Sequence, residues 1–323
     1  MAARTKSKVT PKYKTKYKVR NWPAYDESLR KRGDITVWFD EAAVDAWKPR
    51  PSCRPGGQQE YSDLAIVTAL TLRLVFHLAL RQTEGFVGSL IRVMDLDLET
   101  PDHTTLCRRS HTVAVPAIAK MHDEPIHLVI DSTGLKIVGD GEWHAHKHKT
   151  SNKRRSWRKL HLGVDGDGFI VASALTDSGV DDSSVDVTMI KEDEASIRRF
   201  TADGAYDTRA IYEALATVGL PGIAIVIPPR KTASPSKPAE DVLKQRDAAI
   251  ARIAKVGRRQ WRQESGAHQQ ARAENGMSRY KRIIGDRLRA RKPGAQTREA
   301  MLAVNVLNRM TKLGMSDSVA VAT

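Results

Sequence analysis

The chain has 323 residues and a formal net charge of +15, with 53 Lys and Arg against 38 Asp and Glu. A chain of this length buries a substantial core, so it needs no disulfide or metal to be stable. Its two cysteines, Cys53 and Cys107, lack metal-binding spacing. A disulfide framework is therefore disfavoured, and a reducing cytoplasm is the expected location.

Positive charge is concentrated in three segments. Residues 1–20 hold eight Lys and Arg and no acid, residues 147–159 hold seven and no acid, and residues 244–292 hold fifteen against four acids. Clustered positive charge binds phosphates with release of counterions, which predicts double-stranded DNA as a partner. The alternative is that these are solvated basic faces that aid solubility.

The amino-terminal part is predicted to be a disordered basic arm at residues 1–20, followed by a mainly helical DNA-binding region at residues 21–122. Ser62 has the properties of a helix N-cap, and residues 64–80 are apolar nearly all round. Because this stretch contains Arg73 and His77, it is better explained as a helix packed in protein than as a membrane span.

Two shorter helices follow, at residues 83–94 and at residues 103–110 after the N-cap Asp102. A helix, a short turn and a second helix that opens with polar and basic residues are typical of a helix-turn-helix, whose second helix enters the major groove. Its candidate DNA contacts are His103, Thr104, Thr105, Arg108 and Arg109. A plain helical bundle is the alternative.

From residue 123 to residue 314 the pattern predicts a separate α/β domain, with a short tail at residues 315–323. Strands are predicted at residues 127–138, 159–164, 169–176, 196–202 and 222–227. The second and third are joined by Asp165-Gly166-Asp167-Gly168, a strong hairpin signal. Helices are predicted at residues 208–218, 240–256, 270–284 and 297–313. This order indicates a mixed sheet flanked by helices.

Three acidic residues stand out in this domain. Asp131 ends an apolar run, Asp203 follows another, and Glu274 lies in a basic helical segment. Carboxylates at the ends of buried strands are costly unless a cation neutralises them. Neighbouring strands could place the two aspartates side by side, and such a trio could hold two Mg²⁺ ions, or Mn²⁺, for phosphoryl transfer. Lys281, two helical turns after Glu274, could hold a phosphate beside them.

Other acidic residues have simpler explanations. The group Asp177, Asp181, Asp182 and Asp186 is interpreted as an acidic loop and the capped start of a helix.

The basic segment before the second strand carries three alternating histidines, His144, His146 and His148. Alternate residues on a strand project to one face, which would suit zinc, but the surrounding Lys and Arg favour contact with the DNA backbone or simple exposure. The predicted DNA contacts of this segment are Lys153, Arg154, Arg155, Trp157, Arg158 and Lys159. The indole of Trp157 could stack on an unpaired base or pack in the core.

With these motifs in view, the chain resembles the DDE transposases of bacterial insertion sequences, especially insertion-sequence family five. The matching stretches are IDSTGLKI around Asp131, KRRSWRKLHLGVD at 153–165, TADGAYD around Asp203, ENGMSRYKRIIGDRLRAR from Glu274, and NWPAYDESLRKRGDITVWF at 21–39. The resemblance covers residues 21–313. It implies a ribonuclease-H-like fold in which Asp131, Asp203 and Glu274 bind two Mg²⁺ ions and Lys281 is the lysine of the glutamate signature.

The resemblance also implies an activity and partners. The protein is expected to cut DNA at terminal inverted repeats and to join the 3′ ends to target DNA, as a homodimer or larger complex near the nucleoid and away from membranes. The family's signature has a tyrosine and an arginine where this chain has Ala267 and Gln270. Two alternatives stay open: an inactive derivative acting as a DNA-binding repressor, and a junction nuclease that joins nothing.

Overall fold

The structure is a computed structural model that describes residues 16–51, 58–119, 124–138, 157–192, 197–237 and 240–321. Its strands are β1 (Lys16–Val19), β2 (Ile126–Ile137), β3 (Trp157–Val164), β4 (Ile170–Asp177), β5 (Ile197–Thr201), β6 (Gly219–Val226), β7 (Arg287–Leu288) and β8 (Ser318–Val321). Its helices are α1 (Trp22–Lys31), α2 (Glu41–Asp45), α3 (Asp63–Val75), α4 (Leu80–Val93), α5 (His103–Arg109), α6 (Asp182–Glu192), α7 (Arg209–Val218), α8 (Lys244–Ser265), α9 (Ala271–Ile283) and α10 (Pro293–Leu313).

The central sheet has the strand order β4-β3-β2-β5-β6, and β7 adds to the far end of β2. Strands β2, β3 and β4 are antiparallel to one another, whereas β5 and β6 run parallel to β2. The predicted mixed sheet flanked by helices is therefore confirmed, and the architecture is consistent with a ribonuclease-H-like domain. The β3–β4 connection is the predicted turn, in which Asp165 accepts a hydrogen bond from the Phe169 amide (2.9 Å).

Helices cover both faces of the sheet. On one face Leu135, Leu160 and Leu162 pack with α9, α10 and the amino-terminal helices in one continuous core. On the other face Leu128 and Phe200 pack with α6 and α7 in a second core. The sheet is thus buried on both sides, which leaves its edges and strand ends as the places where polar side chains can act.

Helix α10 joins the amino-terminal helices to the sheet. Ala303 and Val304 are fully buried within the core shared with α3. The buried side chain of Asn308 accepts a hydrogen bond from the Ile170 amide (2.8 Å) and donates one to the Ile170 carbonyl (2.7 Å). One side chain of α10 thus forms hydrogen bonds with both the amide and the carbonyl of Ile170, the first residue of the edge strand β4. Helix α10 therefore fixes the start of β4.

Of the three helices predicted in the amino-terminal region, α3 and α5 begin where expected, whereas α4 begins at Leu80, three residues before the predicted start. Ser62 caps α3 through the Ala65 amide, as expected. The predicted helix at residues 64–80 ends instead at Val75, because His77 takes a left-handed φ of 55° that interrupts the helical path. In the described ranges no single helix is long and apolar enough to cross a membrane, although α3 and α4, bent by 111°, pass that test together.

Helix α8 folds back on itself. Gly257 has a φ of 82° inside this segment, and the guanidinium of Arg252 donates to both oxygens of Glu264, at 2.9 and 2.8 Å. Twelve residues of straight helix would separate those side chains by about 18 Å. The predicted helix at residues 240–256 is therefore only the first arm of a helical hairpin, which packs Trp261 against Val226 of the edge strand β6.

The two ends of the described chain pair with each other. Strand β1 is antiparallel to β8, with Lys16 opposite Val321 and Val19 opposite Ser318. The Asn21 side chain strengthens this contact by donating to the Met315 carbonyl (2.9 Å). Residues 16–19, predicted to belong to a disordered arm, are thus ordered by a partner from the predicted tail, while residues 1–15 lie outside the described ranges.

Candidate active site

Strand register places the two aspartates level with each other. Val129 of β2 lies opposite Thr201 of β5 in a parallel pair, and Asp131 and Asp203 each follow two residues later. Asp203 lies just beyond the end of β5 and continues it in an extended conformation (φ −78°, ψ 177°). Residues two apart in extended chain project to the same face, and neighbouring strands are about 4.8 Å apart. Asp203 also caps the turn after β5 by accepting from the Ala205 amide (2.8 Å), which fixes the side chain at the strand end.

Glu274 approaches these residues from α9, which packs on β2 and β3. The side-chain amide of Gln270 donates to the carbonyl of Ile130, the residue before Asp131, at 3.0 Å. Because Gln270 and Glu274 are four residues apart, they lie on the same side of the chain at the start of α9. The hydrogen bond therefore orients the first turn of α9, and with it the exposed Glu274, towards Asp131.

The electrostatics of Asp131 reflect this convergence. The pKa of the Asp131 carboxyl is raised to about 6, chiefly by burial and in addition by the nearby charges of Asp203, Glu274 and Asp182. A hydrogen bond from the Ser132 amide (2.8 Å) opposes the shift. Three acidic groups thus act on one partly buried carboxyl, which is the environment that a bound cation would relieve.

The donor set is suited to a hard divalent cation. Carboxylate oxygens are the ligands that Mg²⁺ and Mn²⁺ prefer, and mutual repulsion among these groups is compensated by such an ion. Among the residues that the structure describes, no three His, Cys, Asp or Glu side chains are drawn together tightly enough to form a metal cage. The side chains therefore fit Mg²⁺ by their chemistry, although they do not form a closed cage.

Asp182 is an acidic neighbour of the site that sequence reasoning assigned only to a helix start. Its carboxylate accepts hydrogen bonds from Ser132 Oγ (3.0 Å) and from Lys159 Nζ (2.8 Å). Burial alone would raise the pKa of Asp182, but these two hydrogen bonds outweigh burial and lower it. Asp182 is thus a charged residue that holds the Ser132 and Lys159 side chains beside Asp131. No sequence spacing connects residues 132, 159 and 182, so this arrangement could not be predicted from the sequence.

An ion pair with α8 holds the loop that follows Asp203. The buried carboxylate of Asp207 accepts from Arg246 Nε (2.8 Å) and from the Arg230 amide (3.1 Å). Charged hydrogen bonds of this kind are costly to break when one partner is buried. The arm of α8 that carries Arg246 therefore fixes the backbone beside Asp203, a role that composition alone did not indicate.

The basic segment predicted to contact DNA is only partly described. Lys153, Arg154, Arg155 and the histidines His144, His146 and His148 lie outside the described residues. Trp157 begins β3 and is 41% exposed, so its ring is accessible.

Two predicted DNA contacts of this segment are occupied within the protein. Lys159 donates to Asp182 and to the Val180 carbonyl (2.7 Å) instead of pointing into solvent. Arg158 is ion-paired with Asp177 (3.1 Å) on the neighbouring strand. Strand pairing places Arg158 opposite Asp177 at the end of β4, and the partner of Lys159 is the first residue of α6, which follows β4.

Helix α5, predicted to read DNA, is likewise bound to its own protein. His103 contacts Glu84 of α4 at 2.8 Å, and Arg109 makes an ion pair with Asp63 and donates to the Tyr61 carbonyl (3.0 Å). The hydroxyls of Thr104 and Thr105 donate to Asp102, the N-cap. Arg108 is exposed. A helix-turn-helix arrangement is therefore not established by these helices.

Lys281 remains accessible. It lies in the last turn of α9, is exposed, and follows Glu274 by seven residues, so the two side chains lie on the same face of the helix. This is where the sequence placed it.

Comparison with known families identifies the same region. A family model described as "Transposase DDE domain" matches residues 122–309, more than half of the chain. A second family model with the same description matches residues 30–140. The first match contains Asp131, Asp203 and Glu274, and the second extends through the amino-terminal helices to β2.

Proposed function

The chain belongs to the DDE transposase family, and from this premise we propose that it is an insertion-sequence transposase of family five. It cuts DNA at the element's terminal inverted repeats and joins the freed 3′ ends to target DNA. The observation that carries this proposal is the approach of Asp131, Asp203 and Glu274 from two neighbouring strands and one helix, in a chain of net charge +15.

The three carboxylates would hold two Mg²⁺ ions, or Mn²⁺ as a substitute, which when bound activate the attacking oxygen and stabilise the leaving oxygen. The protein contributes placement. The pairing of β2 with β5 sets the spacing of the two aspartates. The hydrogen bond of Gln270 orients the helix that carries Glu274, and the ion pair between Asp207 and Arg246 holds the loop after Asp203. Phosphoryl transfer depends chiefly on such positioning and on electrostatic stabilisation.

DNA is held by groups that the fold leaves accessible. Lys281 binds a backbone phosphate beside Glu274, Trp157 stacks on an unpaired base, and Arg108 contacts DNA from α5. Because two element ends must be cut and joined together, the working form is at least a homodimer. The protein acts where its DNA lies, at the nucleoid in the cytoplasm.

The direct test uses the inverted repeats read from the DNA that flanks the coding region. Labelled duplexes that end in these repeats are incubated with the protein and Mg²⁺ together with an unlabelled target duplex. We expect cleavage at the repeat terminus and joined products with the native chain. Asp131→Asn, Asp203→Asn and Glu274→Gln should bind the same duplex and leave it uncut.

An inactive derivative that represses by binding DNA is the second candidate. It is motivated by two positions of the glutamate signature that differ from the family, since Ala267 is buried in a small core and Gln270 is bonded to the Ile130 carbonyl. Tight binding of the repeats with no cutting in either Mg²⁺ or Mn²⁺ would favour this candidate. Cutting of branched DNA without any joined product would instead identify a junction nuclease.

A further inference from the structure

A cavity of about 1000 Å³ opens beside the start of α9, away from Glu274. It is lined by the first residues of β2 and β5, by the β3–β4 turn and by the start of α9, including His127, Arg198, Arg199, Gln269 and Arg272. Arg272 and Glu274 are two residues apart on one helix, which separates their directions by about 200°. The cavity and the carboxylates therefore flank the same helical turn on different sides.

Three guanidinium groups converge on this cavity. Arg198 is exposed and Arg272 is half-buried, and within the described residues neither makes a hydrogen bond or an ion pair. Arg199 donates to the Ser265 carbonyl, while its Nε is buried and has no hydrogen-bond partner in the described part of the chain. Donors that are left this way in a cavity are poised for an external acceptor.

Three acidic residues, Glu124, Asp165 and Asp167, also line the cavity. Asp165 is buried, and one of its oxygens accepts hydrogen bonds from the amides of Asp167 and Phe169, both at 2.9 Å. This oxygen therefore stabilises the β3–β4 turn. Glu124 and Asp167 are exposed.

The pKa of His127 is affected by the surroundings of the cavity. Burial, followed by the charges of Arg199, Arg272 and Arg198, lowers the pKa of His127 to about 4. Burial is the larger cause, and the added effect of the arginines means that all three guanidinium groups lie close enough to His127 to act on it.

We propose that this cavity binds a phosphate group of the DNA strand, as a second phosphate site distinct from the carboxylate site. Guanidinium groups recognise phosphate oxygens through paired charged hydrogen bonds, which matches the donors present. His127 lies four residues before Asp131 on β2, about 13 Å along the strand. One DNA strand crossing the start of α9 can reach both places. The inference rests on DNA being the substrate, as proposed above.

The first experiment measures anion binding with inorganic pyrophosphate as the probe, in EDTA so that no divalent ion is present and the acidic site repels the probe. Isothermal titration calorimetry compares the native chain with the double variant Arg198→Gln/Arg272→Gln. We expect at least tenfold weaker binding by the double variant. The double variant Arg30→Gln/Arg209→Gln is the charge-matched control, because both arginines are exposed and pair with Asp26 and with Glu213 and Glu240 elsewhere on the surface.

A second readout localises the anion. Histidine NMR signals should show the pKa of His127 rising when pyrophosphate is added, because the anion offsets the three arginines. Thermal unfolding of each variant excludes a general loss of structure. Arg272→Lys, which keeps the charge, should retain more affinity than Arg272→Gln. Equal pyrophosphate binding by the native chain and the double variant, or an unchanged His127, overturns the site.

The third readout ties the anion to DNA. The slope of log K against log salt for duplex binding should be smaller by about 0.9 in the double variant, the value for one lost phosphate contact. An unchanged slope together with weakened pyrophosphate binding would assign the cavity to a free phosphate compound and overturn the DNA assignment. None of these measurements requires cleavage, so an inactive enzyme with a reduced slope would defeat the proposed function and leave the cavity site standing.

Discussion

Helices α5 and α9 are both rich in polar and basic residues, yet they use these side chains differently. In α5, His103 and Arg109 are bound to acidic partners on α4 and α3. In α9, Glu274 and Lys281 are exposed, and neither has a hydrogen bond or ion pair with the rest of the described chain. His103 and Arg109 thus hold α5 in place, whereas Glu274 and Lys281 of α9 are available to a ligand.

The difference has an energetic meaning. A side chain that already has a protein partner must exchange that hydrogen bond, worth about 0.5–1.5 kcal/mol net, before it gains one to DNA. A side chain without a partner gains the new contact directly. A basic or polar sequence pattern is therefore evidence of binding only where the fold leaves the groups unpaired, and this rule can be tested by pairs of substitutions.

The largest effect is expected at Glu274. Glu274→Gln keeps the size of the side chain and removes the charge that acts on Asp131, so cleavage of inverted-repeat DNA should fall by about 10³-fold or more, as for other groups that stabilise a transition state electrostatically. Binding of the same DNA should be unchanged or tighter, because one negative charge is lost. Cleavage rates and gel-shift affinities measure the two quantities.

Glu213→Gln is the matched control for this substitution. Glu213 is an exposed helical glutamate, 52% accessible, whose side chain forms an ion pair with Arg209 one turn away. Its loss should leave cleavage within about twofold of the native rate, since surface pairs contribute little. Similar losses in both variants would mean that the charge of the whole molecule, and not the position of Glu274, controls activity.

The second effect concerns stability at α5. Arg109→Gln removes the ion pair with Asp63 and the hydrogen bond to the Tyr61 carbonyl, so the free energy of unfolding should fall by about 1–2 kcal/mol. The salt dependence of DNA binding should not change. Denaturant unfolding and DNA titrations at several salt concentrations provide both values.

Arg108 offers a control on the next residue. It is exposed and donates a hydrogen bond to Thr105 Oγ1 on the same helix (3.1 Å). Arg108→Gln should leave stability within about 0.5 kcal/mol of the native value and should reduce the salt slope if α5 contacts DNA. Equal reductions of the salt slope by Arg108→Gln and Arg109→Gln would show that the internal ion pair of Arg109 does not keep it from contacting DNA.

The comparison also explains what the sequence could predict. Local signals were reliable: Ser62 and Asp102 cap the helices expected of them, and the β3–β4 hairpin forms at its Asp-Gly turn. The level placement of Asp131 and Asp203 follows from runs of apolar residues that end in an acid, because parallel strands bring such ends together.

What the sequence could not give are partners chosen by tertiary contact. Lys159 is paired with Asp182 and Lys16 faces Val321, and neither pairing has a local signature. The fold-back of α8 at Gly257 was also missed, since one glycine inside a helical pattern costs only about 1 kcal/mol and does not by itself mark a break.

The third prediction concerns pH and the strand that precedes the carboxylates. His127 has a pKa of about 4 in the folded chain against 6.5 for the free side chain. The folded state therefore keeps His127 neutral while the unfolded chain takes up a proton, so the free energy of unfolding should decrease as pH falls from 6.5 to 4. The contribution is on the order of 1 kcal/mol once its partial exposure is considered.

The measurement compares the native chain with His127→Gln, whose amide can still contact Thr201, the partner of His127 Nε2 at 2.9 Å. Acidic residues titrate in both proteins, so the difference between the two stability curves isolates His127. The stability of the native chain relative to His127→Gln should be lower at pH 4 than at pH 7 by about 1 kcal/mol. A constant difference across the range would show that His127 is not held neutral.

The smallest effect is expected at Lys281, and it gives the clearest contrast with Arg109. Lys281→Gln should leave the free energy of unfolding unchanged, because the Lys281 ammonium is exposed and has no hydrogen bond or ion pair with the described part of the chain. The salt slope of DNA binding should nevertheless fall by about 0.9, the value for one phosphate contact. Lys281 and Arg109 would then have opposite profiles, one affecting DNA alone and the other stability alone. A Lys281→Gln protein with a native salt slope would show that an unpaired charge beside the carboxylates is not sufficient for DNA contact.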